Sequence, residues 1–273
     1  MEKEIKLKYQ RLIEYIRELD NVAIAFSGGV DSTFLVYAAM EALGDNVTAF
    51  TVNSPYIPEW EVDEARQWIS GLGVRHEVIN VDIPDNIREN PPDRCYLCKK
   101  QIFGLLKAEM ADRKISYLLE GTNKDDEGDY RPGMKALEEL SVLSPLRATG
   151  FTKDEIRRMS RSLGLPTWNK PAYACLLTRI PYDTPVTAEE LRRIEAGELE
   201  LFRLGLAGAR LRSHGNLARI ELRQDQFIGF SDKEKRDAVV EKLRAAGYEY
   251  VCIDLEGYRM GSYNRTIDKS NNQ

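Results

Sequence analysis

The sequence predicts two domains of different class, a parallel-sheet α/β domain followed by a small α+β domain. In the first part, short apolar segments typical of strands buried on both faces alternate with segments of helical spacing, which favours a parallel sheet between helices. In the second part, the order of helices and strands is typical of an antiparallel sheet. We predict a first domain at 1–165, a cysteine-bearing linker at 166–185, a second domain at 186–262 and a polar tail at 263–273.

Apolar spacing gives the order of the elements in the first domain. We predict a helix over Ile5–Ile16, a strand over Val22–Phe26, a helix around Phe34–Ala39 that ends at Gly44, a strand over Val47–Val52, a helix over Trp60–Ile69 that ends at Gly71, a strand over Val74–Val81, a helix around Ile102–Leu106 and a strand over Tyr117–Leu119. Strands that alternate with helices in this way are typical of βαβ units.

The second part begins with a segment that has no periodicity. Leu165–Tyr182 is rich in Pro and aromatic residues, and we interpret it as a functional linker. After it we predict a helix over Glu189–Leu204, strands over Ala209–Arg212 and Leu217–Leu222, a helix over Asp232–Ala246 and a strand over Tyr248–Leu255.

Composition and charge exclude several classes of protein. A chain with 42% hydrophobic and 30% charged residues is an ordinary globular mixture, which excludes collagen-like and disordered classes. The net charge of −5 argues against a nucleic-acid partner, because non-specific binding needs a basic surface. No apolar run approaches the roughly 18 residues of a membrane span, and the charged start Met1–Glu4 is unlike an export signal. We therefore expect no membrane partner and a cytoplasmic location.

A glycine loop follows the first predicted strand, with the sequence Ser27-Gly28-Gly29-Val30-Asp31-Ser32. Glycines let backbone N–H groups approach an anion, and the start of the following helix adds unsatisfied donors. Ser27 and Ser32 add hydroxyls, and Asp31 could orient the loop or hold Mg²⁺ to neutralise phosphates. The loop lacks the Lys of a Walker A motif and the spacing of the dinucleotide fingerprint. A tight turn with a capped helix is the alternative.

Four cysteines are too few for a disulfide scaffold in a chain of this length. Cys95 and Cys98 form a Cys-x-x-Cys pair at the start of a predicted helix, where basic neighbours favour thiolates; these neighbours are Arg94, Lys99 and Lys100. Cys175 lies in the aperiodic linker. Cys252 lies in an apolar strand, and we predict that it is a small core residue.

Three cysteines therefore remain for chemistry. They are one ligand short of a structural zinc site. Three thiolates on a [4Fe–4S] cluster would leave one iron open for exogenous sulfide. A thioredoxin-like disulfide is the alternative for Cys95 and Cys98, but it leaves Cys175 without a role.

The glycine loop resembles the signature Ser-Gly-Gly-x-Asp-Ser of the PP-loop ATP pyrophosphatase superfamily. The resemblance implies an adenine nucleotide α-hydrolase-like fold and cleavage of ATP between the α and β phosphates. Such enzymes adenylate an oxygen of the substrate, release pyrophosphate and let a nucleophile displace AMP. It further implies that the segment Thr51–Ser54, with Asn53 and Ser54, meets the adenosine, and that Gly121 and Thr122 belong to the ATP site.

Five later motifs resemble the LarE-type sulfur transferases, which make the nickel-pincer nucleotide cofactor of lactate racemase and related enzymes. These motifs are Glu120–Gly133, Trp168–Pro171, Cys175–Pro181, Arg210–Glu221 and Asp254–Gly261. The resemblance implies a pyridinium-3,5-dicarboxylate mononucleotide as substrate. ATP adenylates a ring carboxylate, and a sulfur nucleophile displaces AMP to leave a thiocarboxylate, in two rounds.

The same resemblance bears on the source of sulfur. One branch of the family sacrifices a single cysteine, which ends as dehydroalanine, and another holds an iron–sulfur cluster on three cysteines. The presence of Cys95, Cys98 and Cys175 is similar to the cluster branch, so we predict a [4Fe–4S] cluster and an external sulfide donor. Sacrifice of Cys175 alone is the alternative.

The predicted substrate is strongly anionic, and planar guanidinium groups bind carboxylate and phosphate well. We predict substrate contacts by a set of charged residues in the linker and second domain: Arg179, Arg210, Arg212, Arg219, Glu198 and Glu221. The two glutamates, with Asp126 or Glu127, could hold Mg²⁺ or balance the arginines. A surface or structural ion pair is the alternative for each. His76 is predicted to be structural, and the role of His214 stays open.

Other functions remain as alternatives. A tRNA-thiolating PP-loop enzyme can use a similar cysteine set, but the net charge and the lack of zinc-ribbon cysteine pairs argue against it. Amide-forming PP-loop ligases fit the loop and leave the cysteines idle. A nucleotide-sensing module without turnover would release no pyrophosphate. We also expect a homo-oligomer.

Overall fold

The computed structural model describes residues 2–128, 132–171 and 173–259. These residues form two compact units. The first unit takes the described residues up to Pro84 and from Asp93 to Tyr173. The second takes Asp85–Pro92 and the described residues from Ala174 onward. The predicted domain limits stay predictions, and the tail 263–273 lies outside the described residues.

The first unit is built on a parallel sheet of four strands in the order β3-β2-β1-β4. The strands are β1 (Val22–Ala25), β2 (Val47–Asn53), β3 (Arg75–Asn80) and β4 (Tyr117–Leu119). Alternate residues of β1 belong to separate core clusters: Val22 and Ile24 pack in one, and Ala23 packs in the other. The sheet is therefore buried on both faces, and the predicted parallel α/β class is confirmed.

Seven helices of the described residues belong to this unit: α1 (Glu2–Arg17), α2 (Val30–Leu43), α3 (Glu59–Ser70), α4 (Arg94–Asp112), α5 (Pro132–Glu139), α6 (Pro145–Ala148) and α7 (Lys153–Ser162). The sequence analysis did not predict the last three. Helix α7 begins with a capping box in which the Thr152 hydroxyl accepts from the Glu155 backbone and the Glu155 carboxylate accepts from Thr152.

The second unit contains α8 (Ala188–Arg203), α9 (Lys233–Ala245) and the strands β5 (Arg210–His214), β6 (Leu217–Glu221) and β7 (Tyr250–Ile253). The sheet order is β5-β6-β7. Strands β5 and β6 form an antiparallel hairpin, but β7 pairs with β6 in parallel. The predicted antiparallel sheet is therefore wrong for β7, which returns through helix α9, a crossover that permits parallel pairing.

The predicted linker contains two short 3-10 turns, Pro166–Asn169 and Leu176–Arg179. Among the described residues, none of the helices combines the length and the apolar character that crossing a membrane would require.

Candidate functional site

The glycine loop, Ser27–Ser32, joins β1 to α2. Gly28 has a φ of 68°, and a Cβ added there would lie 2.9 Å from the Cβ of Ala65 on α3. Gly29 caps α2 in an extended conformation, and no side chain caps the helix. The first N–H groups of a helix have no intrahelical partner. The loop thus has the close backbone approach and the uncapped helix start that the sequence predicts for an anion site.

The two serines of the loop contact each other. Their Oγ atoms lie 3.2 Å apart. Ser32 donates to the carbonyl of Gly29 over 3.2 Å, and the Ser27 backbone N–H donates to Ser32 Oγ over 3.3 Å. The loop therefore satisfies its hydroxyls internally, and these same hydroxyls can turn to an anion.

Asp31 at the start of α2 forms an ion pair with Lys153, the first residue of α7. The Asn123 amide also donates to Asp31 Oδ1 over 3.5 Å. Burial raises the pKa of Asp31 against the opposing charge of Lys153, and the charge of Asp126 adds to the rise. Lys153 was not among the predicted site residues, although the Thr152-x-x-Glu155 pattern is a signal for a helix start at this point.

A second lysine reaches the loop from the Trp168–Pro171 motif. Lys170 Nζ donates to the Gly28 carbonyl over 3.1 Å and to Glu64 Oε2 over 2.7 Å. It also lies 6.0 Å from the ring centre of Trp60. Lys153 and Lys170 are thus two cations at the glycine loop that residue type alone did not identify.

The predicted adenosine segment ends β2. Ser54 is 4% exposed, and its hydroxyl has no hydrogen-bond partner among the described residues. Asn53 donates to Asn80 Oδ1 on β3 over 2.9 Å. His76 Nε2 lies 2.9 Å from Thr51 Oγ1, and burial lowers the pKa of His76, which suits the predicted structural role.

Gly121 and Thr122 follow β4. A Cβ on Gly121 would lie 3.1 Å from the Cβ of Asp31 and 3.2 Å from the backbone nitrogen of Ser32. Thr122 donates its hydroxyl to buried Glu120 over 2.6 Å. The structure therefore brings Gly121 directly against the glycine loop.

Cys95 and Cys98 lie in the first turn of α4. Cys95 is exposed, and Cys98 is partly buried and donates to the hydroxyl of Tyr56 over 3.5 Å. Burial raises the pKa of Cys98. The predicted thiolate-favouring environment is therefore wrong for Cys98, because desolvation outweighs the basic neighbours and Lys100 is paired with Glu139.

The other two cysteines belong to the second unit. Cys175 precedes the 3-10 turn Leu176–Arg179. Cys252 is exposed on β7, so its prediction as a core residue is wrong. The reason is that β7 is an edge strand whose apolar pattern is not matched by burial. Among the described residues, none of the four cysteines forms a disulfide, and no group of three or more His, Cys, Asp or Glu is positioned for a metal.

The second unit gathers the predicted substrate residues into an arginine cluster, defined as Arg179, Arg210, Arg212 and Arg219 with the carboxylates Glu198, Glu221 and Asp254. Arg179 is 2% exposed and grips Glu198 with two bonds, of 2.7 Å from Nε and 3.1 Å from Nη2. Burial is the largest single influence on the pKa of Arg179 and lowers it, but the charge and hydrogen bonds of Glu198, with the charges of Cys175 and Tyr258, together give a net shift upward.

The hairpin supplies the rest of the cluster. Arg212 and Arg219 are register partners on β5 and β6. Arg212 donates to Glu221 over 2.6 Å and also to the carbonyl of Thr178, and Arg219 pairs with Glu221 at 3.5 Å and with Asp254. Glu221 is fully buried.

Arg210 is 4% exposed, and its guanidinium lies 5.1 Å from the ring centre of Tyr258. Burial lowers its pKa, and the charge of Arg179 adds to this. The guanidinium groups of Arg179 and Arg210 are therefore close enough for their charges to interact. Glu198 and Glu221 balance arginines in this unit, whereas Asp126 accompanies Asp31 in the first unit. The side chain of Glu127 lies outside the described part of the chain.

Comparison with known proteins matches both the loop and the whole chain. The family model described as asparagine synthase matches residues 16–121, which contain the glycine loop. An uncharacterized protein of Synechocystis is 38% identical over 97% of this chain and 100% of its own length. A pyridinium-3,5-bisthiocarboxylic acid mononucleotide synthase of Lactiplantibacillus plantarum is 36% identical over 96% of each chain. A glutamine-hydrolyzing GMP synthase of Aeropyrum pernix is 28% identical over 66% of this chain but only 39% of its own length.

Proposed function

The chain belongs to the family of the pyridinium-3,5-bisthiocarboxylic acid mononucleotide synthases, and we propose that it inserts sulfur into pyridinium-3,5-dicarboxylate mononucleotide at the expense of ATP. The observation that carries this proposal is the 36% identity to such a synthase over 96% of each chain. The product would serve nickel-pincer nucleotide cofactor biosynthesis. The match to GMP synthase, which spans only 39% of that protein, fits a shared ATP-using domain with a different second substrate.

The glycine loop supports the ATP half-reaction. Its backbone and hydroxyl donors, with Lys153 and Lys170, suit the β and γ phosphates. A ring carboxylate oxygen of the substrate attacks the α phosphorus, and pyrophosphate departs. Ser54, with its buried and unpartnered hydroxyl, is the candidate contact for the adenosine.

Asp31 is the candidate ligand for Mg²⁺. Carboxylate oxygens are suitable ligands for this ion, and the charge of Asp126 lies near the Asp31 carboxylate. In the structure Lys153 neutralises Asp31. Mg²⁺ bound with ATP would replace that charge, which would leave Lys153 available for a phosphate.

The arginine cluster is the candidate site for the anionic groups of the pyridinium nucleotide. Its planar guanidinium donors suit a carboxylate or a phosphate. The bonds from Arg179 to Glu198 and from Arg212 to Glu221 hold the guanidinium planes in fixed orientations.

We assign Cys95, Cys98 and Cys175 as ligands of a [4Fe–4S] cluster, because three thiols and no histidine partner are the donor set of iron–sulfur chemistry. When bound, such a cluster would supply a sulfide nucleophile for the acyl adenylate. The Cys98 thiol donates to the Tyr56 hydroxyl over 3.5 Å and would give up its proton on binding iron. We also propose a cytoplasmic location, because four cysteines in a chain of this length are too few for a disulfide scaffold and suit a reducing compartment. The predicted homo-oligomer and sulfide donor are part of the same proposal.

The test is an anaerobic reaction with ATP, Mg²⁺, sulfide and the pyridinium dicarboxylate mononucleotide. We expect AMP, pyrophosphate and a thiocarboxylate product identified by mass spectrometry, and no product from an Asp31→Asn variant. ADP and orthophosphate as the primary products would contradict the assignment. Thiolation of tRNA in place of the nucleotide would favour the tRNA-modifying alternative.

A further inference from the structure

A short segment of the chain leaves the first unit and belongs to the second. Asp85–Pro92 groups with the second unit, while the residues before and after it group with the first. The segment ends directly before α4, whose first turn carries Cys95 and Cys98. Neither composition nor periodicity indicates this exchange.

Asn90 is the centre of the segment. It is completely buried, and its φ of 51° lies in the left-handed region that Asn tolerates better than most residues. Its side-chain nitrogen donates to three backbone carbonyls, at 3.3 Å to Leu177, 3.0 Å to Ile180 and 2.8 Å to Pro181. One amide group therefore holds three points of a single turn.

The backbone beside Asn90 holds the chain that follows this turn. The carbonyl of Asn90 accepts from the backbone N–H of Asp183 over 3.1 Å, and the carbonyl of Arg88 accepts from Val186 over 2.7 Å. The segment is thus bonded at five points to residues 177–186.

The turn held in this way, Cys175–Pro181, is named here the Cys175 turn. It carries the candidate sulfur residue at its first position and Arg179 of the arginine cluster at its fifth. Thr178 donates to the Cys175 carbonyl through its backbone, over 3.1 Å, and its hydroxyl, over 2.8 Å. Arg212 donates to the Thr178 carbonyl. Asn90 and Arg212 are therefore two side chains from outside the turn that bond its backbone.

We propose that Asn90 is a positioning residue that fixes Cys175 and Arg179 in one arrangement for sulfur transfer. Burying an amide is unfavourable unless it is bonded, and here the buried amide donates only to the turn, while its oxygen has no partner among the described residues. The position therefore serves the geometry of the turn. This inference rests on the proposed function, and its first test is independent of it.

Two variants and one control distinguish the contribution of the Asn90 side chain from that of the backbone. Asn90→Gly keeps the positive φ and removes the amide. Asn90→Asp keeps the shape and places an acceptor against three carbonyls. Asp183→Gly is the matched control, because Asp183 is exposed, has a φ of 55° and lies in the chain that Asn90 holds.

The first measurement is the alkylation rate of each cysteine in the full-length, iron-free chain, read by peptide mass spectrometry. We expect Asn90→Gly to speed the alkylation of Cys175 about tenfold, as the loss of one or two hydrogen bonds predicts. Cys252 should react at the wild-type rate, and Asp183→Gly should resemble the wild type. Equal acceleration at Cys175 and Cys252 would mean general destabilisation and would overturn the proposal.

The second measurement is steady-state sulfur insertion. In Asn90→Gly we expect kcat/KM for the pyridinium nucleotide to fall about 100-fold, since small misplacements of reacting groups have effects of this size, while the KM for ATP stays unchanged. Unchanged kinetics in both variants, or an Asn90→Gly chain that fails to fold, would overturn the proposal. A wild-type chain that does not thiolate the nucleotide would refute the proposed function, and the alkylation contrast would still decide the role of Asn90 in the turn.

Discussion

The glycine loop of the first unit and the arginine cluster of the second are two candidate anion sites built by opposite means. The loop relies on backbone groups, and its close approach to α3 and to Gly121 leaves no room for side chains. The cluster relies on long charged side chains whose orientations are fixed by buried carboxylates. A backbone site depends on shape, and a side-chain site depends on charge balance. The two sites should therefore fail under different substitutions.

We expect the glycine loop to lose activity when a single methyl group is added at Gly28. In Gly28→Ala the new Cβ would lie 2.9 Å from the Cβ of Ala65 at a φ of 68°, and overpacking of this kind costs about 1–3 kcal/mol. We expect α3 and the loop to separate and pyrophosphate release to fall at least about 100-fold. Gly73→Ala is the control, because Gly73 has a φ of 71° and nothing within 4 Å of its added Cβ. Comparable losses of pyrophosphate release in Gly28→Ala and Gly73→Ala would show that the loss comes from backbone strain and not from the contact with Ala65.

Under the proposed mechanism, three cysteines serve sulfur transfer and the glycine loop serves adenylation. If these three cysteines hold the proposed [4Fe–4S] cluster, serine in place of Cys95, Cys98 or Cys175 should stop sulfur insertion and abolish the iron–sulfur chromophore, while pyrophosphate release continues because the glycine loop is unchanged. Cys252→Ser should keep both activities, since this thiol is exposed on an edge strand. Iron and sulfide content and product mass are the measurements.

Sacrifice of Cys175 alone gives a different pattern. It predicts an iron-free chain that keeps one turnover without Cys95 or Cys98 and then carries dehydroalanine at position 175. Intact mass after the reaction distinguishes the two patterns, and a mass loss equal to hydrogen sulfide would contradict the cluster assignment.

We expect the arginine cluster to bind substrate less tightly when an arginine is replaced by lysine, which keeps the positive charge but lacks the planar guanidinium group. Arg212 bonds both the carbonyl of Thr178 and the carboxylate of Glu221, which a lysine cannot reproduce. In Arg212→Lys we expect the KM for the pyridinium nucleotide to rise about tenfold, the effect of losing one charge-assisted hydrogen bond. The KM for ATP should not change. Arg203→Lys is the control, since Arg203 is an exposed arginine paired with Glu200 outside the cluster.

The contrast between the glycine loop and the arginine cluster also explains which features could be predicted from the sequence. The parallel sheet and the glycine loop follow from local patterns, because a strand, a turn and a helix start are contiguous in the chain. Lys153 reaches Asp31 across 122 positions, so no local pattern links the two residues. The capping box before Lys153 was a usable signal for α7 and was missed.

In the second unit the residue types were predictable and their pairing was not. The four arginines could be selected because guanidinium groups suit an anionic substrate, and the two glutamates because they could balance those arginines or hold Mg²⁺. Which carboxylate faces which guanidinium depends on the β5–β6 register and on Glu198 from α8. Cys252 was predicted wrongly because an apolar strand pattern does not distinguish an edge strand from a central one.

The smallest effect that we predict is a pH dependence of the KM for the pyridinium nucleotide, which should require His214 and not His76. Desolvation, then the charges of Arg219 and Arg212, lower the pKa of His214, whose Nε2 accepts from Arg219 Nε over 3.3 Å. The unfolded chain therefore binds more protons than the folded chain just below about pH 6.5, so stability falls as pH falls through that value. Protonation of His214 would also repel Arg219 and loosen the arginine cluster.

We expect the KM for the pyridinium nucleotide to rise below pH 6.5 in the wild type and in His76→Gln, but not in His214→Gln. His76 lies against Thr51 in the first unit, and its lowered pKa adds to the stability slope without reaching the cluster. A wild-type rise in KM that persists in His214→Gln would assign the effect to a group other than this histidine.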